Sequence, residues 1–311
     1  MVDPVKASPL RAVVIGGSGQ IGGWLSRVLT ERGHTAVGTY ASVPFPGLVA
    51  LDAGRREESA AWLRSQRPDV VFYPAGFTWV DGCERDPERA YAANFHEPLN
   101  LARAAAGVGA RFIYFSTDYV FDGHGGPYAQ DSAANPLSVY GKAKLEAEGV
   151  LERELGSAAL VARTSWVFGP ERQGKNFAYQ LARTLTAGQE LVCPSDQVSS
   201  PSYGPDVALA AVMLAEARVA GLIHVVGPEV LDRVEFARRI AAAFGLDPGL
   251  IKGMPTASLA QGAPRPLSGG LLTPRLDSWR AGLMKPLDQA LADFRARLDQ
   301  PGPADPIKPI R

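Results

Sequence analysis

A glycine-rich turn constrains this chain more than any other stretch: "VVIGGSGQIGGWL" (13–25) stands between an apolar run and a helical pattern. Gly17, Gly19 and Gly22 fit G-x-G-x-x-G, and Gly16, Gly19 and Gly22 fit the wider G-x-x-G-x-x-G spacing. Glycine lets the backbone approach a pyrophosphate, and the N–H groups at the following helix start receive its charge. Tight strand-to-helix turns use glycine for steric reasons too. The order strand, loop, helix near the N-terminus is therefore what points to a dinucleotide, with Gly16, Gly19, Gln20, Ile21 and Gly22 as its candidate contacts.

Apolar runs and helical patterns continue to alternate. "TAVGTY" (35–40), "GLVALD" (47–52), "DVVFYPAG" (69–76), "RFIYFST" (111–117) and "AALVART" (158–164) read as strands. Helices are expected near 20–32, 57–66, 87–107 and around Tyr140. Continuous apolar strands separated by helices indicate a parallel sheet covered on both faces. The expected fold class is α/β, a Rossmann-type doubly wound parallel sheet with a smaller C-terminal substrate-binding lobe. Its divisions are 1–165 for the dinucleotide domain, 166–299 for a lobe interleaved with the last sheet elements, and 300–311 for a Pro-rich flexible tail.

Composition narrows the partners. Lys plus Arg number 32 and Asp plus Glu 32, so no global field recruits nucleic acid or an anionic membrane. Two cysteines and four scattered histidines give neither a disulfide framework nor a metal cluster, so no metal is expected. No signal-like start and no apolar run of about 18 residues is present, and a cytoplasmic location is expected. An acid about 20 residues beyond the glycine loop would hold the ribose 2′-OH of NAD. Here the second strand ends "GTYAS" (38–42) without one, which favours NADP and leaves NAD open. Arg55 and Arg56 lie a short way downstream.

Tyr140 and Lys144 stand four residues apart in "NPLSVYGKAKLEAE" (135–148), so one helix face presents both. Free tyrosine titrates at about pH 10, and a nearby ammonium is expected to lower that value toward the range useful for acid–base catalysis. Exposed helices often carry such a pair without chemical cause. Position argues otherwise, because the pair follows "FSTDYVFDG" (115–123) at a strand's carboxyl end, where ligands of parallel sheets bind.

Together, "GGSGQIG" (16–22), "ERDPERAYAANF" (84–95), "STDYVFDG" (116–123), "VYGKAKLEAE" (139–148), "RTSWVFG" (163–169), "KNF" (175–177), "DQVSSPSYGPDVA" (196–208) and "RP" at 265–266 carry a resemblance. The chain resembles extended short-chain dehydrogenase/reductases of the dTDP-4-dehydrorhamnose reductase-like, sugar-nucleotide-binding family, over roughly residues 11 to 295. The resemblance implies a catalytic triad of Thr117, Tyr140 and Lys144, with Tyr140 donating a proton to the C4 oxygen of a nucleotide-activated 4-keto-6-deoxy sugar. Asp118, Tyr119, Trp166, Asn176 and Arg265 would meet the substrate, Arg265 at its diphosphate. Asp52, Ala75, Gly76 and Thr78 would line the cofactor, Asn94 would brace the site, and a homodimer is the implied assembly. "YPAGFT" (73–78) departs from the family's usual N-A-A, which puts the cofactor floor in doubt. A dehydratase would carry Glu where Tyr119 stands. An epimerase, or a non-catalytic NADP-binding regulatory subunit resembling the methionine adenosyltransferase beta subunit, remains open.

Overall fold

Seven parallel strands form the centre of the computed structural model, which describes residues 8–299. The expected tail at 300–311 lies outside the described residues. In chain order the first half runs β1 (Arg11–Val14), α1 (Gln20–Glu31), β2 (Thr35–Tyr40), β3 (Val49–Ala50), α2 (Arg56–Gln66) and β4 (Val70–Tyr73). It continues with α3 (Val80–Arg85), α4 (Pro87–Tyr91), a π-helical turn (Ala92–His96), α5 (Glu97–Ala106), β5 (Arg111–Thr117), α6 (Val139–Leu155) and β6 (Ala159–Thr164). Next come β7 (Val167–Phe168), α7 (Phe177–Thr186), β8 (Leu191–Pro194), β9 (Val198–Ser199), β10 (Ser202–Tyr203), α8 (Gly204–Glu216) and β11 (Gly221–His224). The chain finishes with β12 (Leu231–Asp232), α9 (Arg233–Phe244), β13 (Ile251–Met254), α10 (Pro274–Arg280) and α11 (Leu287–Asp299).

The sheet order is β11-β6-β5-β4-β1-β2-β3. Strand order reverses between β1 and β4, and the crevice beyond their carboxyl ends is where such sheets bind ligands. Both faces are covered, so β4, β5 and β6 are buried along their whole length and read as unbroken apolar runs. On one face Trp24, Leu25 and Leu29 of α1 pack with Val207, Ala211 and Leu214 of α8. On the other, Leu63 of α2, Leu101 and Ala105 of α5, and Ala147 and Leu151 of α6 close the core. Each such side chain contributes roughly 1.5–3 kcal/mol on burial, which holds the strand ends in fixed register beneath the crevice.

A third apolar cluster joins Tyr179 and Leu181 of α7, Phe236 and Ile240 of α9, and Leu291 and Phe294 of α11. Two short strand pairs, β8 with β13 and β9 with β12, frame it. The Gly/Pro-rich stretch around 247–275 thus contains β13, which its composition concealed. The single helix expected over 87–107 is also interrupted. At Glu97 the backbone N–H reaches back five residues to the Ala92 carbonyl, opening a π-turn around the buried Asn94.

Candidate active site

Glycine geometry at the β1–α1 turn is steric and specific. Gly16 has φ +92°, a conformation other residues rarely adopt. A Cβ on Gly22 would stand 2.1 Å from the Gly16 carbonyl oxygen, so α1 packs against the loop only with glycine there. Gly19 is the N-cap of α1, and a Cβ on it would meet only the Gly16 oxygen, at 3.4 Å. No carboxylate stands in the first turn of α1, which leaves its N-terminal field uncompensated. Buried Gln20 Nε2 has no hydrogen-bond partner, and half-buried Ile21 packs against the α1–α8 core.

This loop and the Tyr140–Lys144 pair are joined by close contacts. A Cβ on Gly16 would touch the Ala75 Cβ at 3.0 Å, and one on Gly76 would lie 2.7 Å from Asn94 Oδ1 and 3.7 Å from Lys144 Nζ. The departure from N-A-A therefore has a physical reason: Gly76 leaves room for Asn94, whose Nδ2 donates to the Phe77 carbonyl at 3.0 Å. Asn94 Oδ1 is buried without a partner. Its main-chain carbonyl accepts from the Tyr114 hydroxyl at 2.7 Å. Thr78 and Asp52 are exposed along the same edge, and Asp52 accepts from the Gly54 N–H at 2.9 Å.

Thr117 ends β5, and Tyr140 and Lys144 face it from α6, whose N-cap Ser138 accepts from the Gly141 N–H at 3.2 Å. All three side chains are buried. Lys144 Nζ donates to the Phe115 carbonyl at 2.9 Å and lies 4.4 Å over the Tyr114 ring. Burial pushes Lys144 down to about 7, opposed by the Glu148 carboxylate one turn along α6. That carboxylate pairs at 2.6 Å with Arg163, also buried. The expected lowering of the Tyr140 phenol by Lys144 is not what the structure gives. Burial pushes this phenol up, and its opposing hydrogen bond is with Thr117; Lys144, itself pushed down by burial to about 7, is uncharged where such a phenol titrates and so does not lower it. Tyr140 is therefore a protonated phenol at neutral pH in the protein without cofactor.

Asp118 is buried in a cradle of hydroxyls, accepting from Ser165 at 2.7 Å and Ser199 at 2.6 Å. The Tyr119 ring meets the Tyr140 ring edge-on at 5.8 Å and is in hydrogen-bond contact with Arg265. Arg265 in turn pairs with Asp81 at 2.9 Å, fastening the 262–265 loop to the start of α3. Trp166 has φ +37° and stacks on Phe236. Asn176 is committed to the chain itself: Oδ1 caps α7 at the Ala178 N–H, and Nδ2 donates to the Gly169 carbonyl. Among the described residues no group of three or more His, Cys, Asp or Glu could hold a metal. Among the described residues no helix is long and apolar enough to cross a membrane.

Two arginines escaped sequence reasoning. Arg172 lies 5.3 Å over the Phe45 ring in the loop after β2, and its neighbour Gln173 donates to the Ser18 carbonyl of the glycine loop at 2.8 Å. Arg233, the first residue of α9, lies 3.4 Å over the Trp166 ring. Neither belongs to a motif, and only the fold brings them to the crevice.

Known proteins resemble this chain over most of its length. The RmlD substrate binding domain family matches residues 10–299. The chain is 34% identical over 263 residues to a probable low-salt glycan biosynthesis reductase of Haloferax volcanii, covering 82% of this chain and 87% of that one. It is 33% identical over 288 residues to the dTDP-4-dehydrorhamnose reductase of Mycobacterium tuberculosis, covering 88% and 91%. The crystal structure of dTDP-4-dehydrorhamnose reductase from Bacillus anthracis in complex with NADP superposes with a TM-score of 0.84 at 25% identity, covering 93% and 100%.

Proposed function

The chain belongs to the RmlD substrate binding domain family, and on that premise we propose that it is an NADP-dependent reductase of a dTDP-activated 4-keto-6-deoxy sugar. The observation that carries this reading is the meeting of Thr117, Tyr140 and Lys144 at the carboxyl end of β5, joined through Gly76 and Ala75 to the glycine loop. The residues present fit a dinucleotide. Gly16 and Gly22 shape the turn, Gly19 leaves open space above the start of α1, and Arg172 supplies a cation beside the β2 tip, where no acid repels a 2′-phosphate.

When bound, NADPH supplies hydride to the sugar carbonyl carbon. Tyr140 gives its phenolic proton to the carbonyl oxygen, and the Thr117 hydrogen bond opposes the rise that burial imposes on that phenol. Thr117 hydrogen-bonds the same oxygen and steadies the Tyr140 hydroxyl. Lys144, anchored at the Phe115 carbonyl, would hold the nicotinamide ribose and, while it carries its proton, would favour the phenolate as it forms. Asp118 and Tyr119 orient the sugar, and the lobe over 166–299 encloses the nucleotide.

The test is NADPH oxidation, followed by loss of nicotinamide absorbance, with freshly generated dTDP-4-keto-6-deoxy sugar. Turnover that falls at least about 100-fold in Tyr140→Phe, with NADPH affinity kept, supports the reading. Near-normal turnover in that variant refutes the proton-donor assignment. NADPH binding without any turnover in the wild type refutes the reductase assignment itself.

A further inference from the structure

Arg233 occupies a position that folding alone does not favour. It is the first residue of α9, where the macrodipole presents its positive end, and a cation is disfavoured there. It is half-buried, and burial lowers its pKa to about 10, with the Arg265 charge adding to that lowering. A guanidinium so placed ordinarily finds a carboxylate. The neighbouring acids are committed elsewhere: Asp232 caps α9 at the Val234 and Glu235 N–H groups, Asp118 takes the Ser165 and Ser199 hydroxyls, and Asp81 pairs with Arg265. Among the described residues the Arg233 side chain has ring contacts, 3.4 Å over Trp166 and 4.7 Å over Phe177, and no ion pair. Its main chain is fixed by the β9–β12 pair and by the Arg233 N–H donating to the Gln197 carbonyl at 3.0 Å.

We infer that Arg233, held flat on Trp166, is the uncompensated cation that receives the diphosphate of a nucleoside diphosphate sugar, opposite Arg265. Stacking restricts the guanidinium to one plane and leaves its edge N–H groups for bidentate phosphate contact. Arg265 is matched directly by Asp81, whereas Arg233 feels the Asp118 carboxylate only through space, with no direct carboxylate contact. A dianion between the two groups relieves burial, like-charge repulsion and the helix-end field at once. Positive φ at Trp166 fits this assignment, since the turn that strains the backbone aims the indole beneath the guanidinium.

The inference rests on the nucleotide-sugar reading above, and its test separates the two. Full-length protein is titrated calorimetrically with dTDP, UDP, thymidine and NADPH, as wild type, Arg233→Met and Arg233→Lys. The expected result is a dTDP and UDP affinity about 10- to 100-fold weaker in Arg233→Met, a smaller loss in Arg233→Lys, and unchanged thymidine and NADPH affinity. Unchanged NADPH affinity certifies the fold of each variant. Arg233→Met should melt no lower than wild type in the absence of nucleotide, which a merely structural arginine would not allow. Equal dTDP affinity in wild type and Arg233→Met overturns the inference, as does a loss shared equally by thymidine, or a wild type that binds neither diphosphate. Keto-sugar turnover in the wild type reports on the reductase reading independently. The dTDP effect without turnover sinks that reading alone, and turnover without the dTDP effect sinks the Arg233 assignment alone.

Discussion

Replacing Lys144 by Met should change the pH dependence of stability in a direction and amount that follow from its burial. In the protein without nucleotide, burial lowers this ammonium from 10.5 to about 7. Below pH 7 both folded and unfolded chains carry the proton, and the fold bears the full ionisation cost of roughly 5 kcal/mol. Between about pH 7 and 10.5 the unfolded chain binds more protons, so wild-type stability rises with pH, by roughly 1.4 kcal/mol per unit at the steepest. The stabilising effect of neutral burial is complete above the unfolded value and is lost as pH falls through the folded one. Lys144→Met has no such group, so its advantage over wild type should shrink by about 2.5 kcal/mol from pH 6.5 to pH 9. At ~1.5 °C per kcal/mol for a chain of this length, the two melting temperatures should converge by about 4 °C over that range. The lost hydrogen bond to the Phe115 carbonyl and the altered packing do not depend on pH, so they displace the curves without changing their separation. Burial pushes the Cys83 thiol up to about 11 and Tyr140 higher still, so neither titrates between them. Calorimetry of both proteins at matched ionic strength decides the matter. Melting temperatures that run parallel from pH 6.5 to 9 would refute the buried-ammonium account.

Further outcomes test other parts of the site. Arg172→Ala should weaken NADPH by about 10-fold while leaving NADH unchanged, because one charge-assisted contact to the 2′-phosphate is lost; fluorescence titration with both cofactors checks this. Gly22→Ala should abolish binding of either cofactor and lower the melting temperature, since its Cβ would stand 2.1 Å from the Gly16 oxygen; normal affinity in that variant would contradict the close loop–helix contact. Glu148→Gln should destabilise the protein by about 3–5 kcal/mol in chemical denaturation by leaving the buried Arg163 charge uncompensated.

The centre of the sheet was legible in the sequence because burial on both faces writes strands as largely apolar runs; Arg111–Thr117, buried along its whole length, coincides with the run read from it. Thr117, Tyr140 and Lys144 were legible because two local rules, strand-end placement and helical spacing, agree. The raised Tyr140 phenol was not, since sequence gives spacing but not the burial that raises Tyr140 and lowers Lys144. Arg172 and Arg233 owe their places to tertiary contacts with Phe45 and Trp166 that leave no periodic trace. The break in the helix after Tyr91 had one local signal, Pro98, which cannot donate back into the preceding turn, although the π-turn over Ala92–His96 itself contains neither Gly nor Pro.

That turn acts as a phase adjuster. One additional residue in a helical turn rotates everything downstream by roughly 100° and advances it by about 1.5 Å. Upstream, Ala90 of α4 faces the Cys83–Tyr140 cluster; downstream, Leu101 and Ala105 of α5 face the sheet. A continuous α-helix could not aim both faces correctly from this sequence. Deleting a single residue such as Ala93 would therefore act like a frameshift in space, turning either the sheet-facing stripe or the bracing Asn94 away from its partner. Substitutions at Ala92, Ala93 or His96 should be borne far better than any change in the segment's length.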